Sequence, residues 1–156
     1  MKDRLIAVSV IAWCWALGTP CTAADVTAGT WKLDAAKSKY TAAAQARYET
    51  ITIEAIGDDM KVTLEGTDSA GNKVHAVWTG KYDGKDYPVT GSPDVDMLAY
   101  KKVDDHNYES TTKQGGKTAA SAKIVYSADG KTRTVTSSGT NTKGQNVSAT
   151  AVYEKQ

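Results

Sequence analysis

The side chains that usually do chemistry are few in this chain, and their spacing does not bring them together. The histidines are His75 and His106. His75 falls on the solvent side of a predicted strand and His106 in a predicted turn. A metal site needs several N, O or S donors converging, and no histidine pair at helical or strand spacing exists. Asp86, Asp94 and Asp96 could cradle a hard cation, but the Asp-x-Asp-x-Asp-Gly loop of a calcium hand is absent. In Gly66-Thr67-Asp68-Ser69-Ala70-Gly71 the serine is one place off a Gly-x-Ser-x-Gly elbow. It also lies in a predicted hairpin turn, whereas the elbow needs a strand-to-helix turn. Gly116-Lys117-Thr118 ends like a phosphate loop, yet Thr111 stands where the first glycine belongs and no helix follows. The expectation is a non-catalytic chain with no metal and no cofactor.

Aromatic residues are the stronger candidates. Trp31, Trp78, Tyr82, Tyr87, Tyr100 and Tyr153 are expected to lie in the interior or at the mouth of the fold as candidate ligand contacts, with plain core packing the other reading of Trp31 and Trp78. An indole or phenol offers a large apolar body, and its polar edge can take a hydrogen bond. Small residues on the same strand faces, Ala76, Gly80, Ala149 and Ala151, either leave space among the rings or mark a narrow, filled interior. Both readings stay open.

These residues sit on a chain that reads as strands and turns. Residues 49–56 alternate, with Ile51, Ile53 and Ala55 on one face. Residues 60–65 repeat this with Met60, Val62 and Leu64, and residues 73–82 with Val74, Ala76, Trp78, Gly80 and Tyr82. Residues 146–153 close the chain with Val147, Ala149, Ala151 and Tyr153 on one side. A period of two marks strands with one buried face. Weaker strands run through residues 96–103, 107–113, 118–127 and 132–140. Clusters of Gly, Asn and Asp separate them, as tight hairpins require. Short connections join antiparallel neighbours. The fold predicted is therefore all-β, an antiparallel up-and-down meander of eight to ten strands that closes into a barrel and so removes its edges. A two-sheet sandwich is the alternative. Residues 34–47 are alanine-rich and read as a short helix or a loop. Residues 85–94, with Pro88, Gly91 and Pro93, read as an irregular loop that could cover a barrel mouth.

The first 24 residues carry the layout of a secretory signal peptide. Lys2 and Arg4 precede an apolar run from Leu5 to Leu17, Gly18 and Pro20 break it, and small residues offer cleavage after Ala23 or Ala24. The run is too short for a comfortable membrane span. Both cysteines, Cys14 and Cys21, would leave with it, so residues 25–156 form one domain without thiols or disulfides. The expected location is the periplasm or the exterior. Without the leader, Lys+Arg falls from 19 to 17 and Asp+Glu from 18 to 17, leaving net charge near zero. No basic face for nucleic acid and no polybasic stretch for anionic lipid is visible.

Gly29-Thr30-Trp31-Lys32-Leu33 resembles the Gly-x-Trp start of the first strand in lipocalins and fatty-acid-binding proteins. Val152-Tyr153-Glu154-Lys155 resembles the last strand of the latter. In that family an arginine two before the tyrosine helps hold a ligand carboxylate; here the position is Ala151. A longer resemblance joins Gly29–Leu33, Ala36-Lys37-Ser38-Lys39-Tyr40, residues 81–91 and the terminal Tyr-Glu-Lys. It is to small exported bacterial lipocalin-like proteins of unknown function. This resemblance implies a periplasmic or secreted lipocalin-like β-barrel; the possible small hydrophobic ligand is the expectation from the aromatic and small inward residues. A filled β-domain serving structure or protein interaction is the other reading.

Overall fold

The structure, a computed structural model, describes residues 25–41, 47–67, 71–140 and 144–156. The leader and residues 42–46 of the alanine-rich segment lie outside the described residues. Eleven strands follow one another: β1 (Gly29–Leu33), β2 (Lys39–Tyr40), β3 (Arg47–Ile56), β4 (Asp59–Thr67), β5 (Lys73–Gly80), β6 (Asp83–Thr90), β7 (Met97–Lys102), β8 (Asn107–Gln114), β9 (Lys117–Tyr126), β10 (Thr132–Thr140) and β11 (Asn146–Lys155). From β3 to β11 each strand pairs antiparallel with the next, and β1 bridges β11 and β3. The sheet thus closes. β1 and β2 share one partner: Leu33 is opposite Tyr153 and Tyr40 opposite Ala149, both on β11. They behave as one broken strand, bent at Asp34, whose carboxylate accepts the backbone N–H groups of Ala36 and Lys37. The short helix considered for this region does not extend into Arg47, which opens β3 instead.

The alternation seen in the sequence becomes the inside and outside of the barrel. Ile51, Ile53, Met60, Val62, Leu64, Val74, Ala76 and Trp78 are buried in a single core. Their sequence neighbours Glu54, Glu65, His75 and Thr79 are exposed. Among the described residues the large exposed hydrophobics are Ile56, Val103 and Val125. Ala55, expected on the inner face, is exposed, because β3 runs out of the barrel at its last turn. No described helix is long and apolar enough to cross a membrane.

Residues 85–94 are a correction. Most of this stretch is strand β6, which carries Tyr87 and Val89 inward. Pro88 disguised it. The Val89 N–H donates across to the Asp96 carbonyl at 2.9 Å, so the Pro88 nitrogen faces β5. There the β5–β6 ladder is short, pairing Val77 with Thr90 and Trp78 with Val89. Proline is tolerated in a sheet where its missing N–H is not needed.

The hairpins after β3, β5, β7 and β9 share one end of the barrel, and the N-terminal residues Asp25–Ala28 plug it. Thr27 is fully buried, with its hydroxyl donating to Asp25 at 2.9 Å. The Trp31 indole N–H donates to the Thr27 carbonyl at 2.9 Å. Above this plug a chain of edge-to-face rings runs Trp31–Tyr126–Tyr108–Tyr82–Tyr100–Trp78, with centroids 4.9 to 5.7 Å apart. Each such pair adds about 0.5–1.5 kcal/mol beyond the area it buries.

Candidate functional site

The other half of the barrel interior is not filled. A cavity of about 250 Å³ opens there. The strands that line it supply small inward side chains: Ser110 and Thr112 from β8, Ala120 and Ala122 from β9, Val135 and Ser137 from β10, Val147, Ala149 and Ala151 from β11. Facing them are bulkier groups, Ile51, Leu64, Val89 and Leu98, from β3, β4, β6 and β7. The space arises because β8–β11 carry Ala and Ser where β3–β7 carry Ile, Leu and Trp. Alternation sets the direction of each side chain, and its size decides whether the interior closes.

Among the described residues one charged group sits in this wall. Arg133 on β10 lines the cavity and is only 3% exposed. The register explains its neighbours: Arg133 is opposite Tyr126 on β9 and Tyr153 on β11. All three therefore project from the same face of adjacent strands. The Arg133 Nε–H donates to the Tyr126 hydroxyl at 3.1 Å. The guanidinium carbon lies 5.4 Å from the Tyr153 ring centroid and 5.9 Å from that of Tyr126. Tyr153 is fixed in turn, its hydroxyl donating to the Tyr48 carbonyl at 3.0 Å. The Nη1 group of Arg133 is buried without a hydrogen-bond partner.

Protonation around this group is one-sided. Burial raises the phenol pKa of Tyr100, Tyr126 and Tyr153, against the smaller lowering effect of Arg133. Burial pulls the Arg133 pKa down, but the surrounding tyrosines push it up and prevail. The phenols are thus neutral and the guanidinium charged at neutral pH. Among the described residues the cavity lining contains no Asp, Glu, His or Cys.

The six aromatics expected to contact a ligand divide. Tyr100 and Tyr153 line the cavity. Trp31, Trp78, Tyr82 and Tyr87 are interior but act as filling. Trp31 and Trp78 are 0% exposed, and the Trp78 indole N–H donates to the Leu98 carbonyl at 2.8 Å. Tyr82 stacks on Trp78 and lies over the N-terminal plug, with its hydroxyl 3.5 Å from that of Thr27. Tyr87 meets Trp78 edge-on and covers Gly80. The small residues divide the same way. Ala149 and Ala151 border the cavity, whereas Ala76 is packed opposite Leu64 and the space at Gly80 is taken by the Tyr87 ring.

Arg133 is not among the expected ligand contacts, because it does not align with the position, here Ala151, at which fatty-acid-binding proteins carry their arginine. One signal could have found it. Arg133, Val135 and Ser137 share a strand face, and that face continues the inward face of β11.

No family profile matches this sequence, and no curated protein does. Among solved structures, the S-type phycobiliprotein lyase CPES from Guillardia theta is similar. It has a TM-score of 0.53 and 13% identity, over 84% of this chain and 89% of that one. A redesigned β-barrel, mFAP1, bound to DFHBI, aligns at a TM-score of 0.38 and 14% identity, over 83% of this chain and 95% of that one. The first likeness speaks to the fold. The chain is an all-β, up-and-down antiparallel barrel of the lipocalin-like kind.

Proposed function

We propose that this protein is an exported, non-catalytic binding protein that holds a small apolar or amphipathic molecule inside its barrel. The observation that carries this reading is the cavity of about 250 Å³, walled by Ala, Val, Leu and Ile with Ser and Thr among them and framed by Tyr100 and Tyr153. It lies just below the ~300–1,000 Å³ of typical ligand pockets, so the occupant is small. Acid–base chemistry at neutral pH needs a group whose pKa lies near 7. The titratable groups among the described lining residues are tyrosines and one arginine, and all of those with a shifted pKa are shifted away from 7. Export rests on the leader: a positive start, an apolar run and small residues before residue 25. The product then works in the periplasm or outside the cell.

Native mass spectrometry of the protein produced from its full sequence tests the reading. We expect a reproducible small-molecule adduct that disappears on denaturation and is lost in Ala149→Leu. A bare mass, with no uptake of octanol or octanoate from solution, would sink it. N-terminal sequencing of the exported product should begin at Ala24 or Asp25; a product beginning at Met1 would contradict export with cleavage.

A further inference from the structure

Among the described residues the Arg133 guanidinium has no counter-charge. No carboxylate among them lies within ion-pair distance of it: the ion pairs of the described residues are formed by lysines and His75, on the surface. Its contacts among the described residues are phenols: Tyr126 accepts from Nε, Tyr100 shares a side-chain hydrogen bond with it, and the rings of Tyr126 and Tyr153 face it, none of which brings negative charge. A buried, unpaired charge is strongly unfavourable, and proteins seldom retain one without an anion to meet it. Arginine does not relieve the strain by losing its proton. The free donor, Nη1, belongs to a residue of the cavity wall.

We infer that the ligand is an amphiphile with a single carboxylate head, seated on Arg133, and an apolar body lying among Leu98, Val135, Val147 and Ala149. This deepens the binding reading and rests on it. The planar fork of a guanidinium matches a carboxylate in geometry as well as charge. Among the described lining residues Arg133 brings one positive charge, which balances one negative charge; a doubly charged phosphate monoester would bring a charge these residues do not meet. The remaining lining is mainly apolar, with hydroxyls such as Ser110, Thr112 and Ser137 among the Ala, Val and Leu side chains, and calls for a largely apolar body and not a bare anion. Tyr126, which holds Nε, and Tyr153, which backs the guanidinium plane, are positioning residues for this contact.

Isothermal titration of the protein with octanoate and with octanol at neutral pH tests the inference. The two probes share a chain and differ in head charge. Acetate serves as the head alone. We expect octanoate to bind at least about tenfold more tightly than octanol, the ratio of a charge-assisted hydrogen bond. Acetate should bind far more weakly than octanoate. In Arg133→Met the preference should vanish as octanoate falls to the level of octanol, and Arg133→Lys should restore part of it. NMR of the Arg133 side-chain N–H groups should show a shift with octanoate and none with octanol. Equal binding of both probes to the unmodified protein would overturn the inference while leaving the binding reading intact. Acetate binding as tightly as octanoate would overturn the amphiphile and leave a simple anion site. Binding of neither probe would remove both readings. The comparison on the unmodified protein stands even if Arg133→Met fails to fold.

Discussion

The two halves of the barrel interior are built on one backbone plan and differ in side-chain volume. Toward the plugged end Trp31, Trp78, Tyr82, Tyr108 and Tyr126 interlock edge to face, and the indole N–H groups are satisfied by the Thr27 and Leu98 carbonyls. In the other half Ala120, Ala122, Ala149 and Ala151 leave a void of about 250 Å³. The filled half is closed by packed rings, and the open half leaves the space proposed for a ligand. Arg133 and its tyrosines lie between them, lining the cavity while touching Tyr126 of the ring chain.

The sharpest test of this division is the removal of a ring from the filled half. Trp78→Ala deletes a fully buried indole, its hydrogen bond to Leu98 and its contacts with Tyr82, Tyr87 and Tyr100. We expect a loss of about 3–5 kcal/mol in urea unfolding. A loss under about 1 kcal/mol would mean that the aromatic half is not what holds the barrel together.

A second test acts on the protons of the buried phenols. Tyr100, Tyr126 and Tyr153 have raised pKa values because burial penalises the phenolate. In the unfolded chain they titrate near 10. Above that pH the unfolded state loses protons that the folded state keeps, so stability is full below about pH 10 and declines as pH rises further. Each phenol contributes a slope of about 1.4 kcal/mol per pH unit within its window. The urea midpoint should therefore fall steeply above about pH 10, and less steeply in Tyr153→Phe. A flat midpoint would show that these phenols are solvated.

Much of this was legible in the sequence, for a reason that also marks its limit. Period-two alternation reports which way a side chain points, so the inward faces of β3, β4, β5 and β11 were readable from Ile51, Val62, Trp78 and Tyr153. Where alternation was interrupted the reading failed. β6 was taken for a loop because Pro88 hides a strand whose nitrogen needs no partner. Cavities are harder, since they depend on volume summed across strands far apart in sequence. Large aromatics attract attention as ligand contacts, yet Trp31, Trp78, Tyr82 and Tyr87 fill space. The void is defined by alanines and serines on β8–β11, whose size is visible but whose neighbours are not. Arg133 needed the β9–β10–β11 register to be recognised as inward.

A milder test asks whether tightness differs as sharply as ring content. Gly80 lies under Tyr87, and an added Cβ would stand 2.5 Å from the ring's Cγ and 2.9 Å from Cζ2 of Trp78. Neither atom can swing aside without moving a packed ring. Gly80→Ala should cost about 1–3 kcal/mol, the usual range for overpacking. A neutral result in thermal unfolding would show slack where the rings leave none.

The smallest expected effect is the most discriminating. Ala76→Leu and Ala149→Leu make the same chemical change on inward faces of the same barrel. Ala76 is 0% exposed and packed opposite Leu64, so the extra atoms have nowhere to go and the change should destabilise by about 1–3 kcal/mol. Ala149 borders the cavity, where the added atoms meet empty space and bury apolar surface. Its stability should stay within about 0.5 kcal/mol of the parent or rise, while octanol binding is lost because the leucine occupies the ligand's place. Side-by-side urea melts and titrations of the two variants read both quantities. Equal destabilisation of both would mean that the cavity closes in solution. Equal tolerance of both would mean that the interior is soft throughout, and the contrast between its halves would then lie in chemistry and not in packing.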